Sequence, residues 1–134
     1  MTREKFIETL EKNRYSYEIV GDKIVVTKGN PSGSVYLEFL TSIPPGVEFK
    51  NRRDVDLALL KSLPPGVEFK NGRDVGLYSL KTLPPGVKFE NGGGVYLGSL
   101  MGSGWFGSWE GNIKGIKSNG LLNKMARDGL FDKR

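Results

Sequence analysis

The sequence predicts a mainly β fold, a short β-solenoid of parallel coils of 20 residues with small α-helical caps at both termini. Two observations predict it. The phrase at residues 43–51 returns at 63–71 and again at 83–91, and a fixed period of about 20 residues is typical of stacked repeats. Within each unit, apolar and polar residues alternate as they do on a strand with one buried face.

The repeat also indicates how the coils are arranged. Identical units stacked in one orientation place like residues on like residues, so the Asn column is expected to form a ladder of side-chain amides. Asn71-Gly72 could instead begin a β-hairpin, but Arg52 stands at the position of Gly72 in the first unit. Parallel coiling is therefore favoured. The structural columns expected in it are Phe49, Phe69 and Phe89, and Asn51, Asn71 and Asn91.

The chain of 134 residues fits one domain in three parts. Residues 1–33 are predicted to form an N-terminal helix and hairpin cap, residues 34–100 the repeat array, and residues 101–134 an aromatic loop and a C-terminal helix. Both covers are needed because one coil buries too few apolar side chains to offset the entropy lost on ordering it.

The N-terminal cap is predicted from helical spacing. Thr2 fits a helix N-cap, and Phe6, Ile7 and Leu10 share one face, which predicts a short amphipathic helix over residues 3–12.

A hairpin is predicted next, because the β-prone runs 15–20 and 23–27 flank Gly21-Asp22. The second run, together with residues 33–37, is interpreted as a degenerate first coil that carries a small insertion at Asn30-Pro31-Ser32.

The turns of the coil have a signature of their own. Pro45-Gly46, Pro65-Gly66 and Pro85-Gly86 fit the central positions of type II turns, where Pro fixes φ and Gly accepts a positive φ. Leu77 and Leu80 are three residues apart, which suits a 3₁₀-like or extended side.

The C-terminal part is expected to close the other end of the stack. Trp105, Phe106 and Trp109 lie in a glycine-rich stretch and are predicted to fold over the last coil. Ser118 fits the N-cap of a final helix that ends near Gly129.

Composition restricts the chemistry. The chain has no Cys and no His, which excludes disulfides, Cys- or His-type zinc sites and His-dependent catalytic triads. We expect no catalytic residues, no metal and no cofactor, and therefore no enzyme. No stretch is long enough to span a membrane, and acidic residues precede the first apolar run, so neither a membrane protein nor a secretory signal is predicted.

The net charge of +5 lies mostly at the C-terminus. Residues 34–100 carry eight basic and seven acidic groups, whereas residues 101–134 carry six basic and three acidic groups. A nucleic-acid-binding role through the basic C-terminal segment is therefore an alternative that is not favoured. Its basic candidates are Lys114, Lys117, Lys124 and Arg127.

The repeated carboxylates offer a third alternative. Glu48 and Glu68 share one column and Asp54 and Asp74 another, and paired acids on a β-helix could serve carbohydrate chemistry. Neighbouring basic residues favour a charge-balanced surface instead. Those expected to balance the glutamates are Lys50 and Lys70, and those for the aspartates are Arg52, Arg53 and Arg73.

The unit L-x-x-L-P-P-G-V-x-F-x-N resembles tandem arrays in uncharacterised proteins of bacteriophages and prophage-like elements, which pair such an array with a short N-terminal helix and a Trp-Phe-containing C-terminal segment. The resemblance covers most of residues 2–131. It implies a viral or mobile-element origin and the cytoplasm of a bacterial host, and it supplies no mechanism or site residues.

A looser likeness to bacterial leucine-rich repeats gives the alternative of a leucine-rich-repeat-like α/β solenoid. Asn71 follows Phe69 by two positions, whereas the leucine-rich pattern leaves two residues between its last strand Leu and its Asn. This difference favours a tighter β-coil.

The function expected from these features is a non-enzymatic repeat module that binds a protein partner and, in a phage setting, inhibits a host defence protein or another host protein. Homo-oligomerisation is a further expectation, because a short array leaves edge strands. The residues expected to contact the partner are Trp105, Phe106, Trp109, Lys114, Lys117, Lys124 and Arg127.

Overall fold

The computed structural model describes residues 1–80 and 87–96. These residues form one short N-terminal helix and a β-solenoid of about three turns. The predicted β-solenoid is confirmed, and the leucine-rich-repeat alternative is not favoured. The predicted turn at Pro85-Gly86, the aromatic loop and the C-terminal helix lie outside the described residues.

The helix α1 (Arg3–Lys12) covers the first coil. Thr2 is its N-cap, and its hydroxyl accepts a hydrogen bond from the Lys5 N–H at 3.1 Å. Phe6 and Leu10 are fully buried in the core. The predicted helix over residues 3–12 is thus confirmed, including the apolar face that attaches it to the solenoid.

The helix ends in a left-handed turn that starts the hairpin. Arg14 has φ 59°, the Tyr15 N–H donates to the Leu10 carbonyl at 2.9 Å, and the Arg14 N–H donates to the Glu11 carbonyl at 3.0 Å. This pattern is a Schellman motif. The antiparallel strands β1 (Ser16–Val20) and β2 (Lys23–Lys28) follow, so the predicted hairpin is confirmed.

The described residues of the solenoid form two sheets with the core between them. Sheet A has the order β1-β2-β4-β6-β8, and sheet B has the order β3-β5-β7-β9. All pairs except β1 with β2 are parallel. The further strands are β3 (Val35–Tyr36), β4 (Val47–Phe49), β5 (Val55–Asp56), β6 (Glu68–Phe69), β7 (Val75–Gly76), β8 (Lys88–Phe89) and β9 (Val95–Tyr96).

The register explains the first coil. Val35 pairs with Val55, which is 20 residues further on, whereas Val26 pairs with Phe49, which is 23 residues further on. The three extra residues form the predicted insertion at Asn30-Pro31-Ser32. Asn30 Oδ1 stabilises this loop by accepting hydrogen bonds from the backbone N–H groups of Ser32 and Ser34, both at 3.0 Å.

Stacked aromatic rings fill the core beneath sheet A. The ring centroids of Phe49 and Phe69 are 5.4 Å apart, those of Phe69 and Phe89 are 5.1 Å apart, and the planes differ by 6° and 7°. All three side chains are fully buried. Parallel register thus places the repeated Phe in one continuous column.

The Asn column was predicted wrongly in its partners. The amides do not pair with each other: Asn51 Nδ2 donates to the Gly33 carbonyl at 3.0 Å and to the Asp54 carbonyl at 2.9 Å. Asn71 repeats this pattern with Arg53 and Asp74. Each amide therefore joins a carbonyl of the preceding coil to one in its own corner, while its Oδ1 is buried with no hydrogen-bond partner among the described residues.

Two kinds of turn complete each coil. Gly46 and Gly66 have φ of 78° and 82°, as the predicted type II turns require. On the other side, the Leu40 N–H donates to the Leu37 carbonyl and the Leu60 N–H to the Leu57 carbonyl, both at 3.1 Å. The two central residues of these second turns project beside the outer face of sheet B.

Phe69→Ala is expected to lower the free energy of unfolding by about 3–5 kcal/mol, because it opens a cavity between two stacked rings. The measurement is chemical denaturation of the full chain, followed by circular dichroism. Phe69→Leu keeps most of the volume and is expected to lose less. A Leu variant as unstable as the Ala variant would contradict the cavity explanation.

Asn51→Ala is expected to lower the free energy of unfolding by about 1–3 kcal/mol, because two carbonyls lose the donor they share. Asn51→Asp is nearly the same size but turns a carboxylate towards those carbonyl oxygens, so it is expected to cost more at neutral pH. Denaturation curves at pH 7 compare the two variants. An Asp variant as stable as the unsubstituted chain would overturn the donor role of Nδ2.

Candidate interaction surface

The outer face of sheet A is occupied by a Lys–Glu cluster. Glu48 and Glu68 are neighbours in register, with side chains only 6% and 12% exposed. Lys70 Nζ lies 3.1 Å from Glu48 Oε1, and Lys23 Nζ lies 3.2 Å from Glu68 Oε2. The expected pairing of the glutamates with Lys50 and Lys70 is confirmed, and Lys23 is an additional partner.

This cluster shifts the titration of Glu68. A hydrogen bond with the Glu48 side chain lowers the pKa of Glu68 to about 2, and the Lys23 and Lys70 ammonium groups lower it further against the opposing effect of burial. Buried carboxylates that are already paired with lysines have little access to a substrate. The arrangement therefore suits a structural role for the Lys–Glu cluster.

The aspartates at the corner have a different role from the one expected. Asp54 Oδ1 accepts a hydrogen bond from the Asp74 N–H at 3.0 Å, and Asp74 Oδ1 accepts one from the Gly94 N–H at 2.7 Å. Arg52 and Arg53 are exposed, and no ion pair joins either of them to a carboxylate within the described residues. The predicted pairing of Asp54 with these arginines is wrong, because the next coil supplies a backbone donor.

A groove lies on the outer face of sheet B. It is open to solvent, has a volume of about 200 Å³, and combines carboxylates with aromatic rings. Its carboxylates are those of Asp54, Asp56 and Asp74, and its rings are those of Tyr36, Tyr78 and Tyr96.

The strand register builds the groove. Tyr36, Asp56, Gly76 and Tyr96 are successive neighbours across sheet B. Gly76 leaves room for the Tyr78 ring, since a Cβ at residue 76 would lie 2.9 Å from Tyr78 Cε2. That ring stacks on Tyr96 with centroids 6.0 Å apart and planes at 27°. The floor at Asp56 is thus bounded by Tyr36 on one side and by the Tyr78–Tyr96 pair on the other.

The groove has a negative electrostatic character. Burial raises the pKa of the Asp56 carboxyl, a hydrogen bond from the Ala58 N–H opposes that effect, and the charges of Glu38 and Asp54 add to it. Burial also raises the pKa of the Tyr78 hydroxyl, and the Asp56 carboxylate raises it further. No lysine or arginine lines this groove within the described residues.

Exposed apolar side chains lie beside the groove. Phe39 and Leu59 occupy equivalent positions in successive turns, and their side chains are 52% and 48% exposed. Neighbouring parallel strands are about 4.8 Å apart, so the two side chains form a short apolar strip. We call this strip, together with the groove, the sheet B surface.

The partner-binding residues predicted from the sequence are not part of this surface. All of them, from Trp105 to Arg127, lie outside the described residues. Arg52, Arg53 and Lys61, considered for nucleic acid, are exposed, but Tyr78 and Tyr96 lie among carboxylates. The basic and aromatic groups of the described residues are therefore not interleaved as nucleic-acid binding would require.

Sequence reasoning identified Tyr78 and Tyr96 as outward-facing but missed Asp56 and Gly76. The signal was present: the position after the Val column reads Tyr36, Asp56, Gly76 and Tyr96, whereas the inward columns are nearly invariant along the chain. Variation at one outward position of a repeat is the pattern that marks a surface free of packing constraints.

Comparisons with protein families, with curated proteins and with solved structures found no match. Within the described residues, no helix is long and apolar enough to cross a membrane, and no group of three or more carboxylates could hold a metal ion.

Stability is expected to fall in acid because of Glu68. Its folded-state pKa of about 2 lies below the ordinary value of 4.5, so its contribution is complete above pH 4.5 and is lost as the pH falls through about 2. Glu68→Gln is expected to remove on the order of 1–3 kcal/mol of this pH dependence. Denaturation curves between these pH limits measure it.

Glu18→Gln is the matched control, because Glu18 is an exposed carboxylate on β1 outside the Lys–Glu cluster. Its stability profile is expected to follow that of the unsubstituted chain. A Glu68→Gln profile with the same shape would show that the Lys–Glu cluster does not stabilise the fold.

Proposed function

We propose that the protein is a non-enzymatic repeat module that binds a protein partner through the sheet B surface. One observation carries this proposal. Of the seven large hydrophobic side chains that are exposed among the described residues, four lie on this one side of the solenoid, namely Tyr36, Phe39, Leu59 and Tyr78. Aromatic residues grouped with apolar neighbours are typical of the centre of protein interfaces.

The rigidity of the surface supports the proposal. Tyr36, Asp56 and Tyr96 project from hydrogen-bonded strands, and Phe39 and Leu59 project from turns closed by hydrogen bonds. A partner that binds such a scaffold immobilises few side chains that were not already held, which lowers the entropic cost of association. The Trp105, Phe106 and Trp109 segment remains a predicted second contact.

The biological setting is a refinement of this proposal. The resemblance of the repeat to bacteriophage and prophage-type arrays supports a phage or mobile-element protein that acts in the bacterial cytoplasm. A host defence protein or another host protein is then the partner, and binding inhibits it. Association with a second copy is a competing use of the same exposed side chains.

A second candidate is carbohydrate chemistry. It is favoured by Asp56, because burial raises the pKa of this carboxyl beside tyrosine rings that could stack on sugars. Nucleic-acid binding has no such support in the groove, since its carboxylates repel phosphate. The basic C-terminal residues keep that alternative open.

The test is affinity capture from a bacterial host lysate with the full chain and with Phe39→Ser/Leu59→Ser. The double substitution is expected to reduce the captured partner at least about tenfold, because it removes exposed apolar contacts from the centre of the surface. Mass spectrometry measures the captured protein, and a thermal melt checks that the variant folds.

Two controls locate the interaction. Ile19→Ser/Val20→Ser removes equally exposed apolar groups from the hairpin and is expected to leave capture unchanged. Trp105→Ala/Trp109→Ala in the full chain tests the C-terminal segment. Capture that depends only on the tryptophans, or on neither pair, would overturn binding through the sheet B surface.

A further inference from the structure

We propose that the sheet B groove receives an arginine side chain of the protein partner, with the guanidinium group between the Tyr78 ring and the Asp56 carboxylate. The inference rests on the proposed function and names the chemistry of its central contact. It does not require the partner's sequence, because the groove itself defines what fits.

The first argument is the shape of the groove. Asp56 lies on its floor, and the Tyr78 ring lies over the adjacent Gly76 and stacks on Tyr96. A planar group that enters above Asp56 therefore meets an aromatic face on one side. Arginine suits such a site because its guanidinium is flat, stacks on aromatic rings and forms paired hydrogen bonds with carboxylates.

The second argument is charge complementarity. The groove combines Asp54, Asp56 and Asp74 without a lysine or arginine among its lining residues in the described part of the chain. On sheet A, by contrast, lysines lie 3.1 and 3.2 Å from the carboxylate oxygens of Glu48 and Glu68. The chain neutralises the carboxylates of one face and leaves those of the other face to an external cation.

The third argument comes from Asp56 alone among the three aspartates. Asp54 and Asp74 each accept a hydrogen bond from the backbone of the next coil. Asp56 accepts only a local one, from Ala58 at 3.0 Å, through Oδ1. Its pKa is raised by burial and by like charges, and a cation in the groove would reverse that effect.

A neutral sugar fits this chemistry less well. Sugar hydroxyls need donors as well as acceptors, and the tyrosine hydroxyls are the only side-chain donors among the described lining residues. A lysine ammonium would satisfy the charge but would not stack on Tyr78 as a plane. The geometry therefore favours a guanidinium over both.

The experiment is a nuclear magnetic resonance titration of the full chain with the peptide acetyl-Gly-Arg-Gly-amide. Matched peptides carry lysine or citrulline in place of arginine, and citrulline keeps the shape without the charge. The arginine peptide is expected to shift the Gly76 and Ala58 amide signals saturably. The citrulline peptide is expected to bind at least about tenfold more weakly.

Variants assign the contact. Asp56→Asn removes the charge and keeps an acceptor for the Ala58 N–H, and it is expected to weaken the arginine peptide about tenfold. Glu18→Gln removes one exposed carboxylate elsewhere and is expected to have no effect. A second readout is the Asp56 Cγ titration midpoint, which is expected to fall when the arginine peptide is present and to stay unchanged with citrulline.

Several outcomes would overturn the inference. These are equal binding of the citrulline or lysine peptide, unchanged binding to Asp56→Asn, or saturable shifts at Gly76 produced by a neutral oligosaccharide and not by arginine. Partner capture that needs Phe39 and Leu59 but tolerates Asp56→Asn would also reject it and leave the proposed function intact. Capture that is independent of all three residues would reject both.

Discussion

The structure depends on one constraint, the register of 20 residues between neighbouring coils. The same offset holds in the strands, where the Leu57 N–H donates to the Gly76 carbonyl at 2.9 Å, and at the corner, where the Gly72 N–H donates to the Asn51 carbonyl at 3.1 Å. A coil can satisfy its backbone only against a neighbour in this register. The stacked Phe rings, the Asn amides and the corner aspartates all follow from it.

A ladder of this kind must be stopped at its first coil, and the N-terminal cap does so with two devices. In sheet A, the antiparallel strand β1 covers the edge of β2. In sheet B, the Tyr15 hydroxyl accepts a hydrogen bond from the Tyr36 N–H at 3.1 Å and donates one to the Tyr36 carbonyl at 3.3 Å. Because Tyr36 also forms one wall of the groove, the cap that protects the edge also fixes part of the candidate site.

The sequence predicted what local chemistry decides. The helix over residues 3–12, the hairpin and the insertion at Asn30-Pro31-Ser32 each follow from capping, alternation or a break in the period. The errors were long-range: Asn51 and Asp54 both bond to backbone groups about 20 residues away, and no spacing rule names those partners. The groove was missed for the same reason, since Tyr78 reaches Gly76 only after the strands are in register.

The two outer faces respond differently to the same repetition. On sheet A the third unit exchanges its charges, with Lys88 and Glu90 where the earlier units have Glu and Lys. Lys88 thereby reaches Glu68 at 3.8 Å, so the substitution preserves pairing along the column. On sheet B the changes from Tyr36 to Asp56 to Gly76 preserve no such pairing and instead create a concave, negative surface. A face whose variation serves its own stacking has little left to offer a partner, which is why the sheet B surface is the one to which recognition is assigned.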